Sequence, residues 1–225
     1  MTFSIVGRCA RTGMFGVAIT TSSICVGARC PHARAGVGAV ATQNITDPTL
    51  GPKVLDRLAA GADAEAALAA TIDSAAHRAF RQVTVIDAAG RTACFTGDKI
   101  LGVNAEAPGT DCFAAGNLLS TTAVPAAMAE AFAARAGDHL AERLLRALEA
   151  GLDAGGEEGP VHSATLLVVH EDSFPLVDLR VDWADDGPVA ALRGLWESYE
   201  PQVESYRLRA VDPTAAPSYG VPGDE

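Results

Sequence analysis

The second residue of the chain has the chemistry of a nucleophile. The sequence begins MTFSIV, so that a threonine follows the initiator residue and heads an apolar run. Removal of Met1 would leave Thr2 with a free α-amine and a β-hydroxyl. The reference pKa of an α-amine is roughly 7.7–8.0, so that much of it can act as a neutral base near pH 7. An N-terminal amine is one way to activate a hydroxyl nucleophile. Many chains begin with Met-Thr by accident, so the rest of the sequence must decide.

Two serines are expected at the same rim as Thr2. The apolar runs at residues 2–8 and 14–22 flank a turn that ends in glycine, which predicts a β-hairpin that starts at the N-terminus. Ser22 and Ser23 follow the second strand of that hairpin, so their hydroxyls should lie close to Thr2. The alternative for both serines is a turn residue that satisfies backbone groups.

Three further residues are candidates for substrate binding. Arg34 precedes the next predicted strand, and Thr42 and Gln43 close it. An arginine can bind a substrate carboxylate through two parallel hydrogen bonds, or it can polarise the surroundings of the Thr2 amine. As for the serines, each residue also has an ordinary interpretation as a turn residue.

A Gly-Asn pair at another strand end suggests an oxyanion-binding site. Gly116 offers a backbone N–H and Asn117 a side-chain amide, in the segment AAGNLLS. Such donors stabilise the negative oxygen that develops in acyl chemistry. The alternative is an asparagine in a β-turn.

Two other kinds of chemistry are weaker alternatives. Residues 36–41 match GxGxxG/A and Asp56 lies 20 residues after the first glycine, but Pro31 precedes the motif and residues 40–43 continue as a strand instead of opening a helix. Cys25, Cys30 and His32 could bind zinc, but no second ligand pair follows. The sequence therefore predicts no metal and no organic cofactor.

Composition limits the partners and the compartment. The chain has 225 residues, a net charge of −11, 48% apolar residues and 20% charged residues. The acidity argues against nucleic-acid binding. No run approaches the roughly 18 apolar residues of a membrane helix, and arginines interrupt any signal sequence. The five cysteines form no CxxC motif, which fits reduced thiols in the cytoplasm.

Runs of strands and runs of helices alternate along the chain. The strands are predicted at residues 2–8, 14–22, 24–28, 37–43, 82–87, 91–96, 112–115, 163–169 and 176–181. The helices are predicted at residues 48–60, 64–76, 124–136, 138–152 and 188–199. This order favours an α+β fold, and the apolar strands with little alternation indicate sheets that are buried on both faces. We therefore expect a four-layer αββα sandwich, with two antiparallel sheets between helix pairs.

We expect one domain over residues 1–200 and an extended C-terminal arm over 201–225. The arm is Pro-rich and aperiodic, yet Val211, Tyr219 and Val221 are too apolar for a purely solvated tail. Ordering a segment costs about 1–2 kcal/mol per residue of backbone entropy, which packing on a neighbour can offset. The chain is therefore expected to be a homo-dimer or higher homo-oligomer.

Ordered motifs along the chain resemble a known family. These are TFSIVGR and TGMFGVAI, then ARAGVGAVATQN, RQVTVIDAAGR and AAGNLLS, and finally SATLLVV followed by VDLRVD. Together they resemble a bacterial and archaeal family named domain of unknown function 1028, over about residues 2–200. Its members look like N-terminal-nucleophile hydrolases in fold, so the resemblance implies the αββα sandwich and Thr2 as nucleophile. It supplies no reaction.

The sequence departs from the family pattern at several positions. The common form has tryptophan at His32, glutamine at Ala115 and glutamine at His162, and often a histidine where residues 183–186 read WADD. If these positions line a pocket, substrate choice in this chain differs from that of its relatives.

Three function hypotheses remain open. The first is a cytoplasmic N-terminal-nucleophile amidohydrolase that cleaves an amide-like C–N bond of a small-molecule substrate. The second is a non-catalytic αββα protein for binding or assembly, which predicts an intact Met1 and a closed rim at Thr2. A dinucleotide-binding protein is a third possibility and requires a parallel sheet.

Overall fold

The computed structural model describes residues 2–221, which form ten strands and six α-helices. The strands are β1 (Thr2–Arg8), β2 (Phe15–Thr21), β3 (Pro31–Arg34), β4 (Gly38–Asn44), β5 (Arg81–Asp87), β6 (Thr92–Thr96), β7 (Ala105–Gly109), β8 (Cys112–Asn117), β9 (Ser163–Val169) and β10 (Val177–Val181). The helices are α1 (Leu50–Ala59), α2 (Ala64–Asp73), α3 (Val124–Ala133), α4 (Leu140–Asp153), α5 (Pro188–Tyr199) and α6 (Val203–Val211).

The strands form two antiparallel sheets that pack face to face. The larger sheet has the order β10-β9-β2-β1-β8-β7, and the smaller sheet has the order β3-β4-β5-β6. Helices α3, α4 and α5 cover the outer face of the larger sheet, while α1 and α2 cover the smaller one. The fold is therefore the four-layer αββα sandwich that the sequence predicts.

The first strand lies in the middle of the larger sheet. It pairs with β2 on one side and with β8 on the other. Phe3 and Ile5 point into the core beneath the helices, whereas Ser4 and Val6 point between the two sheets. Both faces of β1 are buried, which explains why its sequence shows little alternation of apolar and polar residues.

Helix positions follow from sequence signals of the ordinary kind. Asp63 caps α2 by accepting a hydrogen bond from the backbone N–H of Ala66 at 2.8 Å, as its position before an apolar helix predicts. Along α4, Leu140, Leu144 and Leu148 recur at helical spacing and are fully buried. This leucine face holds α4 against β1 and β2.

Two strands differ from those expected from the sequence. Residues 24–28 are not a strand: Cys25 has a left-handed backbone with φ of 56°, and Val26–Ala28 form a 3₁₀ turn. The strand lies further along, at β3, where Pro31 is tolerated because β3 is at the edge of its sheet. Strand β7 was not expected, because its sequence AEAPG contains proline and glycine; it too is an edge strand.

The C-terminal segment is not extended throughout, and that expectation was wrong for residues 203–211. These residues form α6, because the stretch between Pro201 and Pro213 contains neither proline nor glycine. Beyond α6, the centre of the Tyr219 ring lies 3.7 Å from the guanidinium carbon of Arg209, a residue of α6. Residues 222–225 lie outside the described part of the chain.

No helix within residues 2–221 combines the length and the apolar character that a membrane span needs.

Candidate functional site

Thr2 lies at the end of the sandwich, between neighbours from two different strands. It is opposite Thr21 of β2 and opposite Asn117 of β8. Its Oγ1 is 3.1 Å from the Oγ1 of Thr21, in a hydrogen bond between the two hydroxyls. The strand alternation that sends Ser4 between the sheets also sends Thr2 there. The Thr2 residue is 6% exposed, so the structure covers it.

A buried polar network lies beneath Thr2 in the space between the sheets. Ser4 Oγ donates to Gln43 Oε1 at 2.6 Å, and Gln43 Nε2 donates to Gln82 Oε1 at 2.7 Å. The same Gln82 oxygen accepts a hydrogen bond from Asn117 Nδ2 at 3.2 Å. All four side chains are at most 1% exposed. The network links β1 and β8 of one sheet to β4 and β5 of the other, and it fixes the orientation of the Asn117 amide.

The two expected oxyanion donors lie directly beside the first strand. Gly116 pairs with Phe3 of β1, and Asn117 pairs with Thr2. Asn117 is fully buried, and its Oδ1 has no hydrogen-bond partner among the described residues. The amide nitrogen carries two N–H groups, of which the bond to Gln82 uses one. The Asn117 side chain thus keeps hydrogen-bonding capacity next to the Thr2 hydroxyl.

Of the other substrate-binding candidates, the two serines lie at the Thr2 end. Ser22 is half-buried and Ser23 is exposed, and both follow directly after Thr21. The Ser23 backbone N–H donates to Thr21 Oγ1 at 3.4 Å. The serines thus follow the strand neighbour of Thr2, and Gln43 is connected to the strand of Thr2 through Ser4.

The structure does not bring Thr42 and Arg34 to Thr2. Thr42 neighbours Gln43 in β4, but strand alternation turns its side chain to the other face, where its Oγ1 lies 3.1 Å from Thr46 Oγ1. Arg34 is opposite Gly38, five residues from Gln43 along β4, or roughly 17 Å at about 3.3 Å per residue. Its guanidinium makes an exposed ion pair with Asp56 at 2.8 Å.

One acidic residue at this end was missed by the sequence analysis. Glu157 lies in the loop between α4 and β9, and its backbone pairs with Leu119, two residues beyond Asn117. It is 7% exposed, and within residues 2–221 neither carboxyl oxygen has a hydrogen-bond partner. Burial raises the pKa of Glu157 from 4.5 to about 8, although the charge of the N-terminus and the backbone N–H of Ser22 act in the opposite direction. In sequence it belongs to a polar run, GGEEG, which is typical of a solvated loop.

Gln82 was missed for a different reason. It is the second residue of β5, RQVTVID, near the strand end, where a polar residue is commonly exposed. The available signal was a polar side chain inside a strand that is buried on both faces, since such a side chain needs partners.

Two departures from the family pattern lie at this same end. The carbonyl of Ala115 accepts a hydrogen bond from Gln43 Nε2 at 3.2 Å. The backbone N–H of His162 donates to the Thr21 carbonyl at 2.8 Å, and its ring stacks on Trp183 with centroids 4.3 Å apart. His32, by contrast, packs against Gly51 of α1 on the outer face of the smaller sheet.

Within the described residues, the structure does not have the geometry that dinucleotide binding or zinc binding would need. Gly36, with φ of 69°, lies in the β3–β4 hairpin turn, and the motif continues into an antiparallel strand rather than into a helix. Among the described residues, no group of three or more His, Cys, Asp or Glu side chains is arranged to hold a metal ion.

The fold is a four-layer αββα sandwich in which a hydroxyl residue heads a central strand. The chain belongs to the Family of unknown function (DUF1028), whose model matches residues 2–192. The crystal structure of protein SPO2555 from Silicibacter pomeroyi, of the same family, shares 34% sequence identity with it. The match covers 88% of each chain with a TM-score of 0.81.

More distant matches are two Anbu structures. The Anbu (Gly-1) mutant from Hyphomicrobium sp. strain MC1 is 15% identical, covering 91% of this chain and 97% of that chain, with a TM-score of 0.44. Anbu (ancestral beta-subunit) from Yersinia bercovieri is 12% identical with the same coverage and a TM-score of 0.41. No curated protein matched the chain.

Proposed function

We propose that the chain is an N-terminal-nucleophile amidohydrolase that cleaves an amide-like C–N bond of a small-molecule substrate. The observation that carries the proposal is the position of Thr2. It is the first residue of a central strand, it faces the space between the sheets, and its hydroxyl lies beside Thr21 and above a buried polar network.

The chemistry uses Thr2 once Met1 has been removed. The Thr2 Oγ attacks the substrate carbonyl while the α-amine accepts its proton, directly or through a water molecule. The carbonyl oxygen becomes negative, and the Asn117 amide and the Gly116 N–H are the donors proposed to stabilise it. The amine leaving group takes up the proton as the C–N bond breaks. Water then hydrolyses the ester on Thr2 and regenerates the hydroxyl. The proposal requires no metal or organic cofactor.

Exposed apolar side chains at this end favour a substrate with an apolar part. Ile24, Ile45 and Trp183 are each at least 50% exposed, and all three adjoin residues at the Thr2 end. Ile24 follows Ser23, Ile45 follows the last residue of β4, and Trp183 stacks on His162. Grouped exposed apolar residues commonly mark a binding surface. Small N-acyl amides with an aliphatic or aromatic group are therefore the first substrates to try.

The alternative is a non-catalytic αββα protein for binding or assembly. The burial of Thr2 at 6% exposure favours it, because a substrate reaches the hydroxyl only if the covering segments move. The two functions differ in what they require of the N-terminus. Hydrolysis needs Thr2 as the first residue, whereas an assembly protein functions with Met1 in place.

Intact mass and two variants test the proposal. Protein from its native host should have the mass of a chain that begins at Thr2. Thr2→Ser should retain part of the amide hydrolysis, and Thr2→Ala should lose it by several orders of magnitude, because both keep the amine and only the hydroxyl differs. Quantitative retention of Met1 would support the alternative, whereas full turnover by Thr2→Ala would mean that another residue carries out the hydrolysis.

The proposal includes a cytoplasmic homo-dimer or higher homo-oligomer that binds neither nucleic acid nor membranes. All five cysteines are unpaired thiols, in keeping with a reducing compartment. In the C-terminal segment, Tyr206, Val211 and Tyr219 are between 42% and 54% exposed, which suits a subunit interface. Deletion of residues 201–225 should lower the assembly state in sedimentation, or lower the thermal midpoint. Unchanged values in both measurements would place the interface elsewhere.

A further inference from the structure

The buried carboxyl group of Glu157 is not used by the mechanism above. Its backbone is held firmly: it pairs with Leu119, while Ser120 N–H donates to the Gly156 carbonyl and Glu158 N–H donates to the Leu118 carbonyl. The loop is thus attached to the chain that leaves β8. The side chain is 7% exposed, so its direction is set by packing rather than by solvent.

A carboxyl group in this position is costly unless it meets a partner. Burying an ionised carboxylate without a hydrogen bond or an opposite charge is strongly unfavourable, and buried polar groups in proteins are nearly always paired. Neither oxygen of Glu157 has a hydrogen-bond partner within residues 2–221, and the opposite charge that acts on its pKa is that of the N-terminus. A leucine or glutamine would fill the space at lower cost. The carboxyl therefore fits a partner that is absent from the described residues.

The strand order places the carboxyl in front of the first strand. Its backbone adjoins Leu119, which continues β8, while its pKa responds to the backbone N–H of Ser22, which continues β2. Strands β8 and β2 are the two neighbours of β1, and lie about 10 Å apart across it. A side chain that extends from the first toward the second crosses the point where β1 begins, at Thr2.

We propose that the Glu157 carboxylate binds the α-ammonium group of Thr2 once Met1 has been removed. The inference rests on the proposed function and assigns Glu157 as a positioning residue for the Thr2 amine. Removal of Met1 transfers the N-terminal positive charge, which already lowers the pKa of Glu157, onto the amine of Thr2. The pair would hold the amine close to its own hydroxyl.

The pair would also supply the amine in the form that the reaction needs. Transfer of one proton from the α-ammonium nitrogen to a Glu157 oxygen gives a neutral amine and a neutral carboxylic acid, with no net change of charge. The amine lone pair is then free to accept the Thr2 hydroxyl proton during attack. When the ester is hydrolysed, the proton returns from Glu157 to the amine. Such a pair titrates as one coupled unit.

The test measures the amine itself and needs no substrate. Full-length protein that begins at Thr2, verified by intact mass, is acylated with acetic anhydride at a series of pH values. Mass spectrometry of the N-terminal peptide then gives the apparent pKa of the α-amine. The two lysines of the chain, Lys53 and Lys99, are internal references. The variants are Glu157→Gln, which keeps the shape and removes the charge, and Glu158→Gln, which removes the adjacent exposed carboxyl.

An ion pair with Glu157 and burial without a partner shift the pKa of the Thr2 amine in opposite directions. Pairing raises the pKa of the wild-type amine above the ordinary range of about 7.7–8.0, whereas burial without a partner lowers it. Glu157→Gln should lower it by at least about one pH unit, and Glu158→Gln should leave it within about 0.3. A wild-type value below the ordinary range, or equal values in wild type and Glu157→Gln, overturns the inference.

The readout separates this inference from the proposed function. An amine with a raised pKa that depends on Glu157, in a protein without hydrolytic activity, supports the ion pair and contradicts the hydrolase. Amide hydrolysis that depends on Thr2, together with an amine pKa that does not change in Glu157→Gln, supports the hydrolase and contradicts the ion pair. If Glu157→Gln does not fold, the pKa of the wild-type amine still tests the inference, because a value below the ordinary range overturns it.

Discussion

The layer between the two sheets is polar at one end and apolar at the other. At the end where β1 begins, the strands contribute Thr2, Ser4, Thr21, Gln43, Gln82 and Asn117. Further along the same strands, the layer consists of Val6, Phe15, Val17, Ala39, Ala41, Ile86, Phe113 and Val169. Both ends are almost completely buried, so solvent exposure does not explain the difference.

Apolar burial at one end stabilises the contact between the sheets more efficiently than the buried hydrogen bonds at the other end. Apolar burial contributes roughly 25 cal/mol per Å² removed from water, while a buried hydrogen bond adds only about 1 kcal/mol net of its desolvation. A fully apolar layer would therefore stabilise the sandwich at least as well. The polar end coincides with the place where a nucleophile is proposed, and the proposed hydrolysis would give it a chemical role.

The largest expected effect is on the pH dependence of stability. The folded-state pKa of Glu157 is raised from 4.5 to about 8. Between these values the unfolded chain releases the proton and the folded chain keeps it, so that raising the pH favours unfolding. This prediction concerns the 225-residue chain, which retains Met1. Its free energy of unfolding should fall, relative to that of Glu157→Gln, by up to roughly 4–5 kcal/mol between pH 4.5 and pH 8.

Denaturant unfolding at pH 5 and pH 8 measures this difference. Glu158→Gln serves as the control, since that carboxyl is exposed and should retain the wild-type slope. An equal change in the free energy of unfolding between pH 5 and pH 8 for wild type and Glu157→Gln would show that Glu157 is not buried as a neutral acid.

The next effect tests the apolar end. Ile86 is fully buried between the sheets, and Ile86→Ala leaves a cavity that neighbouring strands cannot close. The free energy of unfolding should fall by roughly 3 kcal/mol, as measured in urea. The proposed hydrolysis should be unaffected in protein that remains folded. A loss of turnover larger than the loss of folded protein would mean that the two ends are coupled.

A smaller effect is expected at the polar end. Gln82→Leu removes the acceptor for Gln43 Nε2 and Asn117 Nδ2, so it should destabilise the protein by about 1–3 kcal/mol. The double variant Gln43→Leu/Gln82→Leu removes both ends of one hydrogen bond and should be less destabilised than the sum of the single variants. Simple additivity would show that the side chains do not act as a network.

The smallest effect concerns Arg34, which lies away from both the polar network and the nucleophile. Its ion pair with Asp56 is exposed, so Arg34→Met should change the free energy of unfolding by less than about 0.5 kcal/mol. Hydrolysis, measured as kcat/KM, should remain within about twofold. A selective rise in KM would instead show that Arg34 contacts the substrate.

The sequence predicts this fold well because its signals are local. Apolar runs marked the strands, and Asp63 and the leucine spacing of α4 marked the helices. Errors arose where a backbone conformation or a proline overrode those signals. The left-handed Cys25 ended the expected strand at residues 24–28, and flanking prolines concealed α6.

The site was only partly predictable because it depends on pairing between distant segments. That Thr2 is opposite Asn117 follows from the pairing of β1 with β8, which no local pattern encodes. Thr42 and Gln43 are adjacent in sequence, yet only strand register decides which of them faces Thr2. Glu157 is in a loop, and its burial results from the crossing of that loop over the sheet end.

The central position of β1 also bears on the time at which Met1 could be removed. In the folded chain Thr2 is 6% exposed, between β2 and β8. During synthesis, however, β8 emerges more than a hundred residues after β1. At about 5–20 residues per second, the N-terminus would be accessible to an aminopeptidase for roughly 5–20 seconds before its second neighbour arrives. The rate of translation, as well as the sequence Met-Thr, would then influence the fraction of molecules in which Met1 is removed and Thr2 becomes the first residue.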